Sequence, residues 1–185
     1  MLESAFEWLA GTSGSIALHE SVYLWPAIES VHVLTLGLFV GFSAILDLRL
    51  LGLSFTHVPA AKLARRLLPW TTAGFAVMVA SGLLVFYGNP LHFYHNIFFR
   101  LKVVMLILAG INVWLFHRGI WLSIERWGVA PATPPAARVA GAASLILWMS
   151  IIVAGRLIAY NWFECKNTQV SMIRWASGCA AVAER

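Results

Sequence analysis

Charged residues are scarce in this chain. Asp, Glu, Lys and Arg make up 11% of its 185 residues, whereas hydrophobic residues make up 60%. A soluble domain carries about 25% charged residues, so the composition excludes an ordinary soluble globular domain. Lys and Arg outnumber Asp and Glu by 13 to 8, but they are spread over short loops and form no dense basic run. The charge pattern therefore excludes nucleic acid as a partner.

Cysteine is also scarce, and several chemical motifs are missing. The two cysteines, Cys165 and Cys179, form neither a C-x-x-C pair nor a C-x-x-C-H haem-attachment motif. On an oxidising side of a membrane they could pair, which would be worth about 3 kcal/mol; two unconnected thiols are the alternative. The chain has no Ser-His-Asp arrangement, phosphate-binding glycine loop or H-E-x-x-H motif. Hydrolytic and nucleotide chemistry therefore have no support.

Long hydrophobic runs dominate what remains. A bilayer is crossed by about 20 mostly apolar residues in a helix, and four runs meet that length. They cover residues 28–53, 68–88, 96–120 and 139–162. The short connections predict an all-α, integral membrane four-helix bundle with up-down-up-down topology.

The segments outside these runs are short. Residues 1–27 predict an N-terminal interfacial segment, residues 28–162 form the four-helix domain, and residues 163–185 form a tail with a surface helix at about 168–182. The proline-rich stretch 131–135 predicts an extended linker before the fourth span. Short peripheral helices are therefore expected at both termini.

Basic residues indicate the orientation of the spans. Seven of the 13 lie at or near the connections after the first and third spans, whereas residues 1–27 and the connection 89–95 hold none. These basic residues are Arg49, Lys62, Arg65, Arg66, Arg118, Arg126 and Arg138. The positive-inside rule then predicts a multi-pass protein of the bacterial inner (plasma) membrane with both termini in the periplasm. The acidic start, with Glu3 and Glu7, does not resemble a signal peptide.

Three histidines are predicted to meet near the periplasmic face. His32 lies near the start of the first span, while His92 and His95 lie at the mouth of the third. Ionisable groups inside a membrane are costly and indicate a functional site or a buried polar pair.

Three interpretations of this histidine cluster remain open. In the first, His32 with His95 or His92 ligates a b-type haem between helices. Arg100, Lys102 and Arg156 lie at similar depth and would pair with the haem propionates. In the second, the same histidines hold copper or another metal, with Glu29 as a carboxylate ligand. In the third, each histidine only makes structural hydrogen bonds.

A second polar group is predicted near the cytoplasmic face. Asp47 and Arg49 end the first span, and Asn112 and His117 end the third. The favoured interpretation is a structural polar clamp, in which Asp47 pairs with Arg49, Asn112 or His117. A proton relay or a contact with a quinone headgroup is the functional alternative.

Two features of the spans predict packing rather than chemistry. Between the two polar groups, Gly37 and Gly41 form a G-x-x-x-G motif, which predicts a close helix–helix seam. Six tryptophans mostly lie near span ends and are predicted to anchor the spans in the bilayer interface. They are Trp25, Trp70, Trp121, Trp127, Trp148 and Trp162.

Several short motifs together resemble a bacterial family of uncharacterised four-helix membrane proteins. They are Asp47-Leu-Arg-Leu-Leu-Gly52, Leu68-Pro-Trp70, Gly74-Phe75, Asn112 with Phe116-His117, and Gly155-Arg156-Leu-Ile-Ala-Tyr160. The resemblance covers about residues 28–162 and implies the four-span fold but no activity. The region from Lys102 to Asn112 is more distantly similar to the copper-resistance D membrane family, although the chain lacks methionine-rich motifs.

The leading functional hypothesis is a membrane electron-transfer or cofactor-holding subunit with one b-type haem near the periplasmic face. Its partners would be the lipid bilayer, quinone, and a membrane or periplasmic redox protein, within an oligomer or a larger complex. The second and fourth spans contain no histidine, which argues against a two-haem arrangement. A non-redox structural subunit that docks a partner complex, and a copper or other metal-ion binding or transport protein, are the alternatives. Catalysis by this chain alone is not expected, although it could serve as the membrane subunit of an oxidoreductase.

Overall fold

The computed structural model describes residues 2–127 and 133–160, and this part of the chain is helical without strands. Two short helices come first, α1 (Leu2–Ala10) and α2 (Ser13–Glu20), and α3 (Leu24–Leu51) and α4 (Ala60–Gly88) follow. A short helix, α5 (Pro90–Tyr94), then leads into α6 (Ile97–Leu115), which continues as a π-helical turn (Phe116–Ile120) and a 3₁₀ turn (Trp121–Ser123). The last helices are α7 (Ile124–Trp127) and α8 (Pro135–Ile158).

Four of these helices are long and apolar enough to cross a membrane: α3, α4, α6 with its π-helical turn, and α8. The chain is therefore a multi-pass membrane protein, and the predicted all-α four-helix architecture is confirmed. The boundaries differ from the prediction by several residues. The helix α3 begins four residues before position 28 and α4 begins eight before position 68. Hydropathy missed the start of α4 because Lys62, Arg65 and Arg66 continue the helix outside its apolar part.

Local sequence signals explain where the helices begin and end. The side chain of Asn96 accepts hydrogen bonds from the backbone N–H groups of Phe98 and Phe99, which caps the start of α6. Gly52 ends α3 in the left-handed conformation, with φ 76°, where glycine avoids a Cβ clash. Pro135 occupies the first turn of α8, where its missing N–H is not needed. This part of the predicted linker is therefore helical.

The spanning helices alternate in direction and form an open array. The helix α3 packs on both α4 and α8, and α6 packs on α8. Among the described helices, α4 and α6 do not pack against each other along their lengths. They approach at one end, where the rings of Phe86 and Phe99 stack with their centroids 5.5 Å apart. Along the rest of their lengths, a lateral opening lies between α4 and α6.

The core lies where α3, α4, α6 and α8 come together. Its buried members are Phe39, Met78, Ala109, Trp148 and Ile151. The rings of Trp148 and Phe39 meet edge to face with centroids 4.6 Å apart. Trp148 is therefore a core residue, and its predicted role as an interfacial anchor is wrong. Trp148 lies near the middle of α8, at least ten residues from either end, so its depth in the span also fits the core rather than the bilayer interface.

The predicted glycine seam is not where the helices of this chain meet. A β-carbon built on Gly37 or Gly41 would find no described atom within 4 Å, so both glycines lie on an open face of α3. Close approach occurs instead at Gly141 of α8, where a β-carbon would lie 3.2 Å from the backbone oxygen of Asp47. The motif predicts a close approach only if a neighbouring helix lies on that face, which the spacing alone does not determine.

Two predictions for the tail fall outside the described residues. They are the surface helix at about 168–182 and the pairing of Cys165 with Cys179. At the other terminus, α1 and α2 lie against the ends of α4 and α5. The hydroxyl of Ser15 donates to the backbone oxygen of Tyr87 at 2.8 Å, which holds α2 to the end of α4. The predicted N-terminal segment is thus a pair of short helices attached to the bundle.

Candidate functional site

A cavity of about 850 Å³ runs through the middle of the bundle, among α3, α4, α6 and α8. We call its two ends the His32 end and the Asp47 end, after one polar residue of α3 that lines each. Between these residues, 15 positions of helix span about 22 Å at 1.5 Å per residue. Most of the lining side chains are aliphatic or aromatic. Each end therefore offers a small polar group within an apolar space.

At the His32 end, the imidazole is held in one orientation. Nδ1 of His32 lies 3.0 Å from the backbone oxygen of Met78 and 3.1 Å from the hydroxyl oxygen of Ser81. A carbonyl oxygen only accepts hydrogen bonds, so Nδ1 carries the proton and donates it. Nε2 of the neutral ring then keeps its lone pair, and it has no partner among the described residues. Such second-shell bonds fix the tautomer of metal-ligating histidines.

Gly82 makes room for this ring. A β-carbon built on Gly82 of α4 would lie 2.9 Å from Cε1 of His32, closer than side chains normally approach. Any larger residue at this position would push the imidazole away from Met78. Gly82 is thus part of the wall that determines the position of the His32 Nε2 atom.

Lys102 lies at the same end of the cavity, on α6. Its Nζ would be 3.5 Å from a β-carbon on Gly155 of α8, and it interacts electrostatically with His32. No acidic side chain of the described chain pairs with it. A partly buried ammonium without a counter-charge among the described residues is costly in a membrane, so this position suits an anionic group of a ligand in the cavity.

The other two predicted histidines lie elsewhere. His95 follows α5, and its Nε2 is 3.6 Å from Oε1 of Glu3 on α1. His92 is exposed on α5, beside the ring of Phe93. Among the described residues neither lines the cavity, so the structure does not bring His32, His92 and His95 together. No group of three His, Cys, Asp or Glu side chains within residues 2–127 and 133–160 could hold a metal ion.

Of the three cations predicted to face a propionate, only Lys102 lines the cavity. Arg100 donates from Nε to the backbone oxygen of Tyr94 at 3.0 Å. Arg156 is exposed and donates from Nη2 to the hydroxyl of Tyr160 at 2.7 Å. Tyr94 and Tyr160 also accept a cation–π contact from these guanidinium groups. Both arginines are therefore engaged at the rim of the bundle.

At the Asp47 end, the carboxyl group of Asp47 is only partly satisfied. The side chain is 7% exposed and lines the cavity. The hydroxyl of Ser144 on α8 lies near it, but its Oδ2 is buried and accepts no bond from the described residues. An unsatisfied buried acceptor costs about 1–3 kcal/mol. Such a group is unusual and indicates a missing partner.

The residues of the predicted polar clamp do not bond to one another but to other partners. Asp47 and Arg49 do not pair with each other, because residues two positions apart on a helix do not face each other. Arg49 is 3% exposed and donates from Nε to the backbone oxygen of Val58 at 2.6 Å. Its Nη1 lies 3.4 Å from the hydroxyl of Thr133. Arg49 therefore ties the loop after α3 to the entry of α8.

Asn112 and His117 line the cavity but do not contact Asp47 through a hydrogen bond. Nδ2 of Asn112 donates to the backbone oxygen of Ala140 at 3.0 Å, which ties α6 to α8. Nδ1 of His117 lies 2.9 Å from the backbone oxygen of Val113, so Nε2 keeps its lone pair. His117 belongs to the π-helical turn, an irregularity often found at functional sites.

Several functional or supporting residues had no strong signal in the sequence. Asn96 is fully buried and its Nδ2 donates to the backbone oxygen of Ile158 at 3.1 Å. Its position before an apolar run is a typical N-cap pattern, which could have identified its capping role. Ser81 and Ser144 had no such signal, because a serine inside a span satisfies itself by bonding to the preceding turn.

The fold and the cavity define a multi-pass membrane protein with a laterally open four-helix bundle and two internal polar ends. The chain belongs to a family of unknown function, DUF6644, whose model matches residues 6–161. No curated protein and no solved structure matches it. The match includes α2 to α8 and most of α1, so the short N-terminal helices are part of the family's fold.

Proposed function

We propose that this protein is a membrane cofactor-holding and electron-transfer subunit that binds one b-type haem at the His32 end of the cavity. The observation that carries the proposal is the neutral imidazole of His32, whose Nδ1 proton is committed to Met78 and Ser81. Its Nε2 is the atom that ligates haem iron in proteins. The haem would supply one-electron redox chemistry, and the chain would supply ligation, burial and charge compensation.

Lys102 is the cation that would pair with a haem propionate. It lines the same cavity as His32 and has no acidic partner among the described residues. The apolar walls from α4 and α6, including Val103 and Leu106, would enclose the macrocycle. Helical bundles hold cofactors between facing helices in this way.

The proposal assigns His32 as the only histidine ligand. For His95 to be the second ligand, it would have to leave Glu3 and enter the cavity. We therefore expect a five-coordinate, high-spin haem rather than the six-coordinate, low-spin haem of a bis-histidine site. This assignment revises the pair of His32 with His95 or His92 that the sequence favoured.

The orientation is part of the proposal. Lys62, Arg65, Arg66, Arg118 and Arg138 all belong to the Asp47 side of the bundle, so the positive-inside rule places the Asp47 end at the cytoplasmic face. The His32 end would then face the periplasm of a bacterial inner membrane, where α1 and α2 could meet a redox partner.

The absorbance spectrum of the purified protein, expressed with haem supplied, tests the proposal. Wild type should show a high-spin b-type spectrum and a reduced-minus-oxidised band. His32→Ala should lose the haem, and Gly82→Ala should weaken its binding because the new methyl group displaces the imidazole. His57→Ala, on the exposed loop after α3, is the matched control and should keep the spectrum.

Other outcomes would select the alternatives. A low-spin spectrum that is lost in His95→Ala would restore the bis-histidine site. Copper or another metal without haem, found by elemental analysis, would favour the metal-binding or transport alternative and the distant similarity to the copper-resistance D family. Neither haem nor metal would exclude both cofactor hypotheses and leave a structural subunit that docks a partner complex.

A further inference from the structure

The Asp47 end carries a second set of polar groups that the haem proposal does not use. Asp47 and Ser43 lie one helical turn apart on α3, and both line the cavity. Ser144 of α8 contacts the carboxyl group of Asp47. Asn112 of α6 bonds to the backbone oxygen of Ala140, one turn from Ser144. Three helices thus bring small polar side chains to one end of the cavity.

Two hydrogen-bond acceptors at this end lack a donor. Asp47 is more than nine-tenths buried, and its Oδ2 has no partner among the described residues. His117, in the π-helical turn that follows α6, donates its Nδ1 proton to Val113, which leaves Nε2 as an acceptor. Rotation about χ2 of an aspartate is only weakly restricted, so either carboxyl oxygen can turn toward a ligand. The two acceptors belong to different walls of the cavity.

The cavity opens to the side rather than only at its ends. Phe75 and Val79 of α4 and Val103 and Leu106 of α6 line it, yet all four remain exposed. They border the opening between α4 and α6, which do not pack together along their lengths. At this depth the surroundings of the spans are lipid, so a molecule that enters here must be soluble in the bilayer.

We propose that the Asp47 end binds the ring of an isoprenoid hydroquinone that enters from the bilayer between α4 and α6. One hydroxyl donates to Asp47 and the hydroxyl across the ring donates to His117. Phe42, Phe75 and Phe116 line this part of the cavity and suit an aromatic ring. The apolar tail extends through the lateral opening. This binding is independent of haem, which would lie about 22 Å away at the His32 end.

The proposal is tested by the amount of decylubiquinol that nanodiscs containing the protein retain after washing. Chromatography measures this amount, and nanodiscs without the protein are the control. Wild type should retain the quinol specifically. Asp47→Leu should lower the affinity about tenfold or more, and His117→Ala should also weaken it. His32→Ala should lose haem but retain the quinol, so failure of the haem proposal is distinguishable from failure of this one.

The lateral entrance is tested by a matched pair of glycines. A β-carbon on Gly110 or Gly37 meets nothing within 4 Å, so a side chain can start at both positions without a clash, but of the two only Gly110 lines the cavity. Gly110→Trp should reduce quinol retention and Gly37→Trp should not. Gel filtration and thermal unfolding of each variant show that it is folded.

Three results would overturn the proposal. The first is that folded Asp47→Leu retains as much decylubiquinol as wild type does. The second is equal retention of decylubiquinol in Gly110→Trp and wild type. The third is equal retention of farnesol and decylubiquinol, because a single hydroxyl on an isoprenoid chain would then suffice and the site would not recognise a hydroquinone.

Discussion

The two ends of the cavity are built from similar polar side chains but differ in how those side chains are satisfied. At the His32 end, the imidazole has two partners on α4 and presents one free atom. At the Asp47 end, a buried carboxyl oxygen lacks a partner among the described residues, while Arg49 nearby donates hydrogen bonds to Val58 and Thr133. A polar residue inside a span can therefore present a fixed ligand atom, leave an acceptor unsatisfied or make a structural hydrogen bond. The residue type alone does not distinguish these three roles.

The ends also differ in how they are closed. Asn96 joins the start of α6 to the end of α8 at the His32 end, and Arg49 joins two loops at the Asp47 end. Between these closures the wall formed by α4 and α6 is open. Asn96 and Arg49 thus hold elements of the bundle together without lining the cavity.

Replacing Arg49 should have the largest effect on stability. Arg49→Ala leaves the backbone oxygen of Val58 and the hydroxyl of Thr133 without their donor, and should cost about 3 kcal/mol. Thermal unfolding in detergent measures the change. Arg156→Ala, an exposed arginine, is the control and should change stability by less than about 0.5 kcal/mol. Equal effects of the two variants would contradict a structural role for Arg49.

Replacing Asn96 should have the second-largest effect on stability. Asn96→Ala removes the cap of α6 and the bond to Ile158, and should cost about 2 kcal/mol. Asn89 precedes α5 but makes no side-chain capping bond, so Asn89→Ala should have little effect on the same unfolding temperature. If Asn96→Ala also had little effect, the His32 end would not depend on this closure.

The two glycine positions should respond differently to a large side chain. Gly141→Leu should separate α3 from α8 at Asp47 and Leu50, and we expect a cost of about 1.5 kcal/mol. Gly37→Leu, on the open face of α3, should be nearly neutral. The reverse order would mean that the G-x-x-x-G motif is a packing interface after all, formed with another chain.

Replacing Asp47 should have the smallest effect, and in the opposite direction. Asp47→Leu removes an unsatisfied buried acceptor and should stabilise the protein by about 1 kcal/mol in the absence of ligand. Functional residues often reduce stability in this way. A loss of stability similar to that of Arg49→Ala would show instead that Asp47 is the structural clamp that the sequence predicted.

Much of the fold could be predicted from the sequence, because the apolar runs are long and the basic residues lie between alternate runs. The helix ends were harder, since basic residues such as Lys62 and Arg65 extend α4 beyond its apolar part. The candidate site was predicted only in part. His32 and Lys102 share a cavity, but the side chain of His95 turns toward Glu3, and no spacing rule predicts a contact with a separate short helix.

The sequence by itself determined that this is a four-span membrane protein with polar groups near both ends of its first span. These properties follow from hydrophobicity and length, which act locally along the chain. The tertiary structure decided which side of each helix meets a neighbour. It excluded Gly37 and Gly41 from the packing, buried Trp148 in the core and left the bundle open between α4 and α6. Contacts between distant parts of the chain depend on how whole helices pack, and this is why the cavity, its lateral opening and the unsatisfied oxygen of Asp47 emerged only from the structure.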